Sequence, residues 1–458
     1  MLIYPPSPSF FIESKQVFYG LAPPLGLLSI ARVLEDGGDE VSVVDFSAER
    51  YDENRLVEVL DGVDVVGISV LTISLPSVIE IVRSIRKVKP EIRIIIGGPH
   101  CTLFPTQALK QTGADICVQG DGEQVIGEVR KALVGKLDFA EIAGIVFWVD
   151  GKIESGRPVQ LVHHLDEVGF AARHLVSKYV YGKGLVADVQ PGEFTSIVTS
   201  RGCPFSCRFC SRNSVSMKNY RMRSLDNIIE ELKQLYGLGY RYIAFNDDCF
   251  LSNKKLAVDL FQAIIDEGLV LRFFITAARV DSADEQLYAL MKRAGVCFLQ
   301  FGLESGNQDV LDFYHKNITI EQSKKAVELS HAMGFFTAGS FIFGAPFETK
   351  AHLKQTVGFA QSLPLNSVSF VPLLYMAGSD LWNEAVLEGK IDEERYLVQA
   401  DVSEGLGLFT AEQLHRFCSQ ASWSFYFRVR FVVDLVKICV RQQNFSFLWA
   451  YVWFLVKR

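Results

Sequence analysis

Apolar and polar positions alternate along the first 135 residues in a way that predicts strands separated by helices. The predicted strands are short apolar runs at 2–4, 40–45, 63–70, 92–96 and 116–118. Between them apolar positions recur at helical spacing, for example over 25–34 and 78–85. Strands that are apolar throughout are buried on both faces, so we expect residues 1–135 to form a parallel, doubly wound (Rossmann-like) α/β sheet.

Small, polar and glycine residues follow three of these predicted strands, within 67–72, 97–100 and 120–123. The set comprises Thr72, Gly97, Gly98, His100, Gly120, Gly122 and Glu123. Because ligands of doubly wound sheets bind beyond the carboxyl ends of the strands, we expect a ligand at this edge.

Residues 136–190 are predicted to be a connector with a β-hairpin, since the apolar runs 142–149 and 152–153 flank Asp150-Gly151. Six strand–helix units follow within residues 191–375, with predicted strands at 194–199, 242–245, 271–276, 296–301, 339–344 and 367–371. Parallel strands with helical crossovers close toward a barrel, so this part predicts a partial (β/α)6 barrel. The predicted helix starts include Ser224 and two capping boxes, Ser282-x-x-Glu285 and Thr319-x-x-Gln322.

Three cysteines, Cys203, Cys207 and Cys210, stand in a C-x-x-x-C-x-x-C arrangement directly after the first of these strands. Soft thiolates select iron–sulfur clusters, zinc or copper(I). A structural zinc site wants four protein ligands, and the loop holds neither a histidine nor a second C-x-x-C motif. A cubane cluster held by three cysteines would keep one iron open for a substrate or cofactor, whereas three buried free thiols are the simplest alternative.

At these residues the sequence resembles the radical S-adenosylmethionine (SAM) enzymes. The resemblance implies that the three cysteines hold a [4Fe-4S] cluster whose fourth iron binds SAM, and that SAM is cleaved to a 5′-deoxyadenosyl radical. It also implies that Phe209 lies near the adenine and that Asp247 and Asp248 lie where the SAM amino group is received. Glu304 matches the acidic position that contacts SAM, and Arg279 is expected near the SAM carboxylate or the substrate.

The first 135 residues look like the cobalamin-binding domain that precedes the cluster domain in one large radical SAM class, with similar motifs at 23–27, 97–100 and 120–123. The small and glycine positions named above are therefore the expected cobalamin contacts. The histidine-donating D-x-H-x-x-G motif of other cobalamin proteins is absent, so we expect no histidine on the lower face of the cofactor. The alternative is a Rossmann-like domain without cobalamin.

The composition argues against a nucleic-acid partner and indicates where in the cell the protein is expected. The formal net charge of −7 gives no support to a nucleic-acid surface. An odd total of nine cysteines and the lack of a secretory signal predict a cytoplasmic protein.

The remaining residues, 376–458, are predicted to be a helical C-terminal region. Aromatic and basic residues are interleaved over 423–458, which would suit a helix on a membrane surface. The longest charge-free run there, 442–456, is too short to span a bilayer. The alternative is a helix packed over the mouth of the barrel.

The sequence therefore predicts a cobalamin-dependent radical SAM enzyme. The expected reaction is methylation of an unactivated carbon, or oxidative cyclisation, of a small hydrophobic substrate, with flavodoxin or ferredoxin as electron donor. Two alternatives stay open: a radical SAM enzyme without cobalamin, and a non-catalytic iron–sulfur or zinc protein that acts as a sensor or scaffold.

Overall fold

The structure is a computed structural model that describes residues 1–6, 21–182, 192–428, 431–433, 436 and 440. It divides into two compact units. The first contains Leu21–Tyr181 and Arg221–Arg223, and the second runs from Gly182 to Tyr220 and resumes at Ser224.

The first unit is built on a seven-stranded sheet with the order β2-β1-β3-β4-β5-β6-β7. Its strands are β1 (Leu2–Tyr4), β2 (Val43–Asp45), β3 (Val65–Ser69), β4 (Arg93–Gly97), β5 (Ile116–Val118), β6 (Ile145–Val149) and β7 (Lys152–Ser155). Strands β1 to β5 pair in parallel, which confirms the predicted doubly wound α/β class. The predicted strand at 40–45 is shorter in the structure and begins at Val43.

The helices of the first unit connect these strands. They are α1 (Leu25–Asp36), α2 (Glu53–Val59), α3 (Leu75–Val88), α4 (Pro99–Leu103), α5 (Pro105–Thr112) and α6 (Gly122–Leu133). In α3 the apolar residues recur every three or four positions, so Val78, Ile81, Val82 and Ile85 are all buried.

The hairpin predicted at Asp150-Gly151 is present, and both residues have positive φ (48° and 74°), as a tight two-residue turn requires. Strand β6 pairs antiparallel with β5, so this hairpin extends the sheet of the first unit. The predicted connector 136–190 therefore supplies two strands of the first sheet.

The second unit contains a parallel six-stranded sheet, as predicted for a partial (β/α)6 barrel, in the order β13-β12-β11-β10-β9-β8. The strands are β8 (Phe194–Ile197), β9 (Tyr242–Phe245), β10 (Arg272–Ala278), β11 (Val296–Glu304), β12 (Phe336–Phe343) and β13 (Ser367–Pro372). Strand order follows chain order, so the carboxyl end of each strand lies beside that of the next. Residues at these ends are thereby brought to one edge.

Helices follow the strands of the second unit: α7 (Arg212–Val215), α8 (Leu225–Gly237), α9 (Lys254–Asp266), α10 (Glu285–Arg293), α11 (Gln308–Phe313), α12 (Ile320–Ala332) and α13 (Lys350–Ser362). Ser224 caps α8, and Thr319 forms a capping box with Gln322 at α12, as predicted. The capping box predicted from Ser282 is wrong. Asp284 is the N-cap of α10, and its side chain accepts a hydrogen bond from the Leu287 N–H.

Beyond the sheet the chain forms the antiparallel strands β14 (Leu374–Met376) and β15 (Leu397–Gln399), and the helices α14 (Asp380–Leu387) and α15 (Ala411–Tyr426). The α15 helix packs on the edge strand β13, where the Tyr426 hydroxyl accepts from the Val368 N–H (3.0 Å) and donates to the Val368 carbonyl (2.7 Å). This helix covers the edge of the sheet.

Most of 423–458 lies outside the described residues, and the predicted membrane-surface helix with it. None of the helices in the described part of the chain is both long and apolar enough to cross a membrane.

Candidate functional site

The three-cysteine loop follows β8 at the carboxyl edge of the second sheet. Gly202, directly before the first cysteine, has a φ of 86°, and a Cβ there would lie 2.2 Å from the Asn219 carbonyl oxygen. Only glycine fits this turn. A hydrogen bond from the Cys210 N–H to the Cys207 carbonyl (3.0 Å) then closes the second part of the loop. All three cysteines are free thiols and partly buried.

The entry to this loop is held by Asp247, which follows β9. Its carboxylate accepts hydrogen bonds from the Thr199 N–H (3.1 Å), the Thr199 hydroxyl (2.7 Å) and the Ser200 hydroxyl (2.6 Å). Asp247 is only 4% exposed, and burial raises the pKa of its carboxyl group. The structure thus places Asp247 against the backbone that leads into the loop.

The neighbouring Asp248 has a different partner from Asp247. Its carboxylate forms an ion pair with Arg212 (3.2 Å), and its side chain is 22% exposed. The two adjacent aspartates, predicted as one group, therefore make different contacts.

A fourth thiol, that of Cys249, lies beside the loop. The Cys249 thiol donates a hydrogen bond to the Cys203 sulfur, and this bond lowers the pKa of Cys203 to about 7. Burial raises the pKa of Cys207, and it raises that of Cys210 to about 11. Of the three thiols in the loop, Cys203 therefore has the lowest pKa, whereas burial disfavours the thiolate forms of Cys207 and Cys210.

Arg279, directly after β10, contacts the three-cysteine loop. Its guanidinium lies 3.7 Å from the centre of the Phe205 ring, within the three-cysteine loop. It also pairs with Asp281 (2.9 Å) and donates to the Lys316 carbonyl (2.8 Å). Arg279 is 6% exposed, so its contacts with Phe205 and Asp281 fix its position.

Glu304, at the end of β11, forms a buried ion pair with Lys316 at 2.6 Å. Burial alone would lower the pKa of Lys316, but the Glu304 carboxylate raises it above its ordinary value. The Lys316 ammonium lies 6.0 Å from the centre of the Phe209 ring, and Phe209 also packs edge-on against Tyr314 (5.2 Å). The structure therefore brings Phe209 and Glu304 together through Lys316.

One residue of this site, Lys316, was missed from the sequence. Cys249 stands near a strand end, where the sequence favours a packed thiol over an extra ligand, and in the structure it is buried beside Cys203. Lys316 lies in the run from Phe313 to Asn317, where nothing in the hydrophobic pattern marks it as buried. Its short distance along the chain from the Glu304 motif was the one available signal.

The donor set of the loop fits a cubane cluster. Within the described residues, no group of three His, Cys, Asp or Glu side chains is close enough to hold a single metal ion. In a cubane each cysteine binds a different iron, so the sulfurs stand further apart than ligands of one ion do. The loop supplies three partly buried thiols, the donors that such a cluster uses, and Arg279 and Lys316 lie nearby to offset negative charge.

In the first unit the predicted ligand positions gather at the carboxyl ends of β3, β4 and β5. The Thr72 hydroxyl lies 3.3 Å from His100 Nδ1. Gly98 has a φ of 110°, and a Cβ there would lie 3.1 Å from the Val70 carbonyl oxygen. His100 is fully buried, and burial lowers the pKa of its imidazole to about 4. His100 is therefore a neutral imidazole at neutral pH, held beside Thr72 at this edge of the sheet.

The glycines of this edge differ in the space around them. A Cβ at Gly120 would lie 2.8 Å from a Val159 methyl group, and one at Gly122 would lie 2.8 Å from an Ile30 methyl group. At Gly97 the nearest atom would be 3.6 Å away, an ordinary contact. Glu123, in the first turn of α6, is partly exposed. Of these glycines, Gly97 alone could accept a side chain without displacing the protein.

Comparisons with known proteins identify both domains. The radical SAM superfamily model matches residues 197–360, and the B12 binding domain model matches residues 15–130. An uncharacterized methyltransferase of Pyrococcus horikoshii is 30% identical over 94% of this chain and 93% of its own length. The cytidylyl-2-hydroxyethylphosphonate methyltransferase of Streptomyces wedmorensis is 27% identical over 88% and 86% of the two chains.

A solved structure shares the fold. The radical SAM methyltransferase TsrM from Kitasatospora setae, determined with cobalamin and a [4Fe-4S] cluster bound, matches with a TM-score of 0.69 and 20% identity. The match covers 84% of this chain and 74% of TsrM. The two matched domains imply a [4Fe-4S] cluster, SAM and cobalamin as cofactors. This chain therefore belongs to the radical SAM superfamily and is an enzyme of the group that carries a B12 binding domain ahead of the radical SAM domain.

Proposed function

We propose that the protein is a cobalamin-dependent radical SAM methyltransferase that methylates an unactivated carbon of a small hydrophobic molecule. In this proposal residues 191–375 bind the cluster and SAM, and residues 1–135 bind cobalamin. The observation that carries it is the placement of Cys203, Cys207 and Cys210 on one loop with two buried cations alongside.

The cofactors, when bound, supply one-electron cleavage of SAM and carriage of the methyl group. The chain supplies binding and orientation. The three thiolates would hold three irons, Glu304 would accept hydrogen bonds from the SAM ammonium or ribose, and Phe209 would lie near the adenine. Asp247 keeps the loop in position, because its carboxylate binds Thr199 and Ser200. We assign it this positioning role in place of direct contact with SAM.

Methylation is favoured over oxidative cyclisation by the relatives that match nearly the whole chain. Both of those described above are methyltransferases, and the matches cover 93% and 86% of their lengths. Because similar folds host many reactions, the proposal names only the chemical class of the substrate.

Two further partners belong to the proposal. The first is a low-potential one-electron donor of the flavodoxin or ferredoxin type, which the reductive cleavage needs. The second is a membrane surface contacted by residues 423–458. Val433, Val436 and Val440 are 45%, 43% and 59% exposed, which supports an apolar face at helical spacing.

The central test is iron loading of the full chain under anaerobic conditions. We expect about four irons per chain and reductive cleavage of SAM in the wild type, both lost in Cys207→Ala. Cys418→Ala, a buried thiol on α15, is the matched control and should leave iron content unchanged. Zinc in place of iron, or SAM cleavage that survives Cys207→Ala, would contradict the proposal.

Cobalamin and membrane contact are tested separately. The full chain should retain cobalamin through gel filtration, whereas an empty chain at saturating cobalamin would favour a radical SAM enzyme without it. For the membrane, flotation with liposomes is compared between the full chain and a chain lacking residues 429–458. Equal flotation of the two would end that part of the proposal.

A further inference from the structure

The ion pair between Lys316 and Glu304 is buried at both ends. The two side chains are 10% and 7% exposed, and the Lys316 ammonium lies 2.6 Å from the Glu304 carboxylate. A buried ion pair gives up the hydration of both charges, so it is weak support for stability by itself. Its presence at the carboxyl end of a barrel strand therefore calls for a functional explanation.

The backbone on both sides of the pair is held in an unfavourable conformation. Glu304 has a φ of 60°, and Lys316 is flanked by His315 at 49° and Asn317 at 53°. Non-glycine residues rarely adopt this left-handed region; asparagine and histidine do so more readily than glutamate, so the backbone strain is greatest at Glu304. Such strain persists only where the surrounding structure fixes it, and it is concentrated at functional sites.

The pair also restricts the strand that carries it. A Cβ at Gly302 would lie 2.4 Å from a Glu304 carboxylate oxygen and 3.0 Å from the Lys316 ammonium. A side chain at position 302 would therefore displace one or both of the charged groups. Gly302, the residues with positive φ and the Lys316–Glu304 ion pair therefore depend on one another, and together they are called the ion-pair arrangement.

The ion-pair arrangement places a cation against the three-cysteine loop. The Lys316 ammonium lies 6.0 Å from the centre of the Phe209 ring, and Phe209 directly precedes Cys210 in the sequence. Burial raises the pKa of the nearby Cys207 thiol, the Lys316 charge lowers it, and the Glu304 carboxylate raises it. The Lys316 backbone carbonyl accepts the hydrogen bond from Arg279, whose guanidinium lies on Phe205. Arg279 thus holds the backbone of Lys316, and Glu304 holds its ammonium group near the loop.

We propose that Lys316 sets the reduction potential of the cluster held by the loop, by stabilising its reduced form. The inference rests on the proposed function. One electron enters the cluster from a low-potential donor and no proton accompanies it, so the reduced cluster carries one more negative charge. A buried cation nearby favours that form over the oxidised one, because charge interactions are weakly screened in the interior. Lys316 is a positioning residue with respect to Glu304 and an electrostatic one with respect to the cluster.

The test is a potentiometric titration of the anaerobically reconstituted full chain, followed by electron paramagnetic resonance without SAM. Lys316→Met should lower the midpoint potential, because it removes the cation and leaves the Glu304 charge uncompensated. Lys316→Arg should stay near the wild type. The double variant Lys316→Met/Glu304→Gln removes the pair as a neutral unit, so its potential should lie between those of Lys316→Met and the wild type.

Two controls keep the result interpretable. Lys324→Met removes an exposed lysine that pairs with Glu328 on α12 and should not change the potential. Lys316→Gln retains a hydrogen-bond donor to Glu304 and is the second neutral variant should Lys316→Met fold poorly. It should also lower the potential.

The outcomes separate this inference from the proposed function. A wild-type chain that forms no cluster refutes the proposed function. A wild-type cluster whose potential is unchanged in both neutral variants refutes the role of Lys316 alone. Loss of iron in both neutral variants, with circular dichroism unchanged, would assign Lys316 to cluster assembly and would also overturn the inference.

Discussion

The carboxylate of Asp247 accepts hydrogen bonds from both the backbone N–H and the hydroxyl of Thr199, at 3.1 and 2.7 Å. These bonds join the carboxyl end of β9 to the segment that leads from β8 into the cysteine loop. Because Asp247 is 4% exposed, water cannot replace them. The position of the three thiols therefore depends on a residue that is itself not a ligand.

We expect Asp247→Asn to weaken iron retention without removing a ligand. An amide keeps the size of the side chain but presents hydrogens toward donors at Thr199 and Ser200, and we expect a loss of about 2 kcal/mol of folding free energy. Iron per chain after gel filtration, together with urea unfolding, measures both effects.

The adjacent aspartate provides the control. Asp248 makes an ion pair with Arg212, whose side chain is 56% exposed, so Asp248→Asn should change stability by well under about 1 kcal/mol. Equal loss of iron in the two variants would show that Asp247 does not act through Thr199.

A second prediction concerns the edge of the first sheet. A methyl group at Gly97 would meet its nearest neighbour at 3.6 Å, so Gly97→Ala should leave the fold intact. If this edge contacts cobalamin, the same methyl group should lower cobalamin retention several-fold. Gly127→Ala on α6, where nothing lies within 4 Å of the added carbon, is the matched control. If Gly97→Ala retained cobalamin as well as the wild type, cobalamin would not contact Gly97.

The sequence predicted the sheets well because strand hydrophobicity and turn residues are local signals. The hairpin at Asp150-Gly151 is an example, since both residues tolerate positive φ. The capping box at Ser282 failed because a nearer competitor, Asp284, caps the same helix. Both Ser282 and Asp284 fit the sequence pattern of an N-cap, and the folded backbone decides which of them begins the helix.

The candidate metal-binding cysteines can be identified from the sequence, but the residues that hold their loop in place cannot. The spacing of the three cysteines is visible in the sequence. The burial of Lys316 is not, because it arises when the segment after α11 packs against β11 and the loop. The pairing of Asp247 with Thr199 likewise depends on two strands becoming neighbours in the sheet.

A third prediction concerns the edge strand β13. The Tyr426 hydroxyl satisfies both the N–H and the carbonyl of Val368. Tyr426→Phe leaves these two backbone groups without that partner in a buried position, so we expect a loss of about 2–3 kcal/mol in unfolding free energy. Leu387→Ala, at a position that is 87% exposed, should cost far less and is the control. A Tyr426→Phe variant as stable as the wild type would show that the edge does not depend on this hydroxyl.

The last prediction follows from Glu348, which is fully buried after β12 and accepts hydrogen bonds from the N–H groups of Gly344 (2.6 Å) and Ala345 (3.2 Å). Burial raises the pKa of its carboxyl group from 4.5 to about 7. A raised carboxyl pKa means that the folded state prefers the protonated form, so its stabilising contribution is complete below pH 4.5 and is lost as the pH rises through 7. Between pH 5 and pH 8 the free energy of unfolding should fall by roughly 2–3 kcal/mol from this group.

Glu348→Gln should remove that fall, because the amide oxygen can still accept both hydrogen bonds and carries no charge at any pH. The nearby Tyr314 and Cys418 both have raised pKa values, the latter about 12, so neither ionises in this range. Urea unfolding at pH 5 and pH 8 measures the difference, with Glu328→Gln on the exposed face of α12 as control. A wild type and a Glu348→Gln variant with the same pH dependence would show that Glu348 ionises in the folded protein at its ordinary pKa.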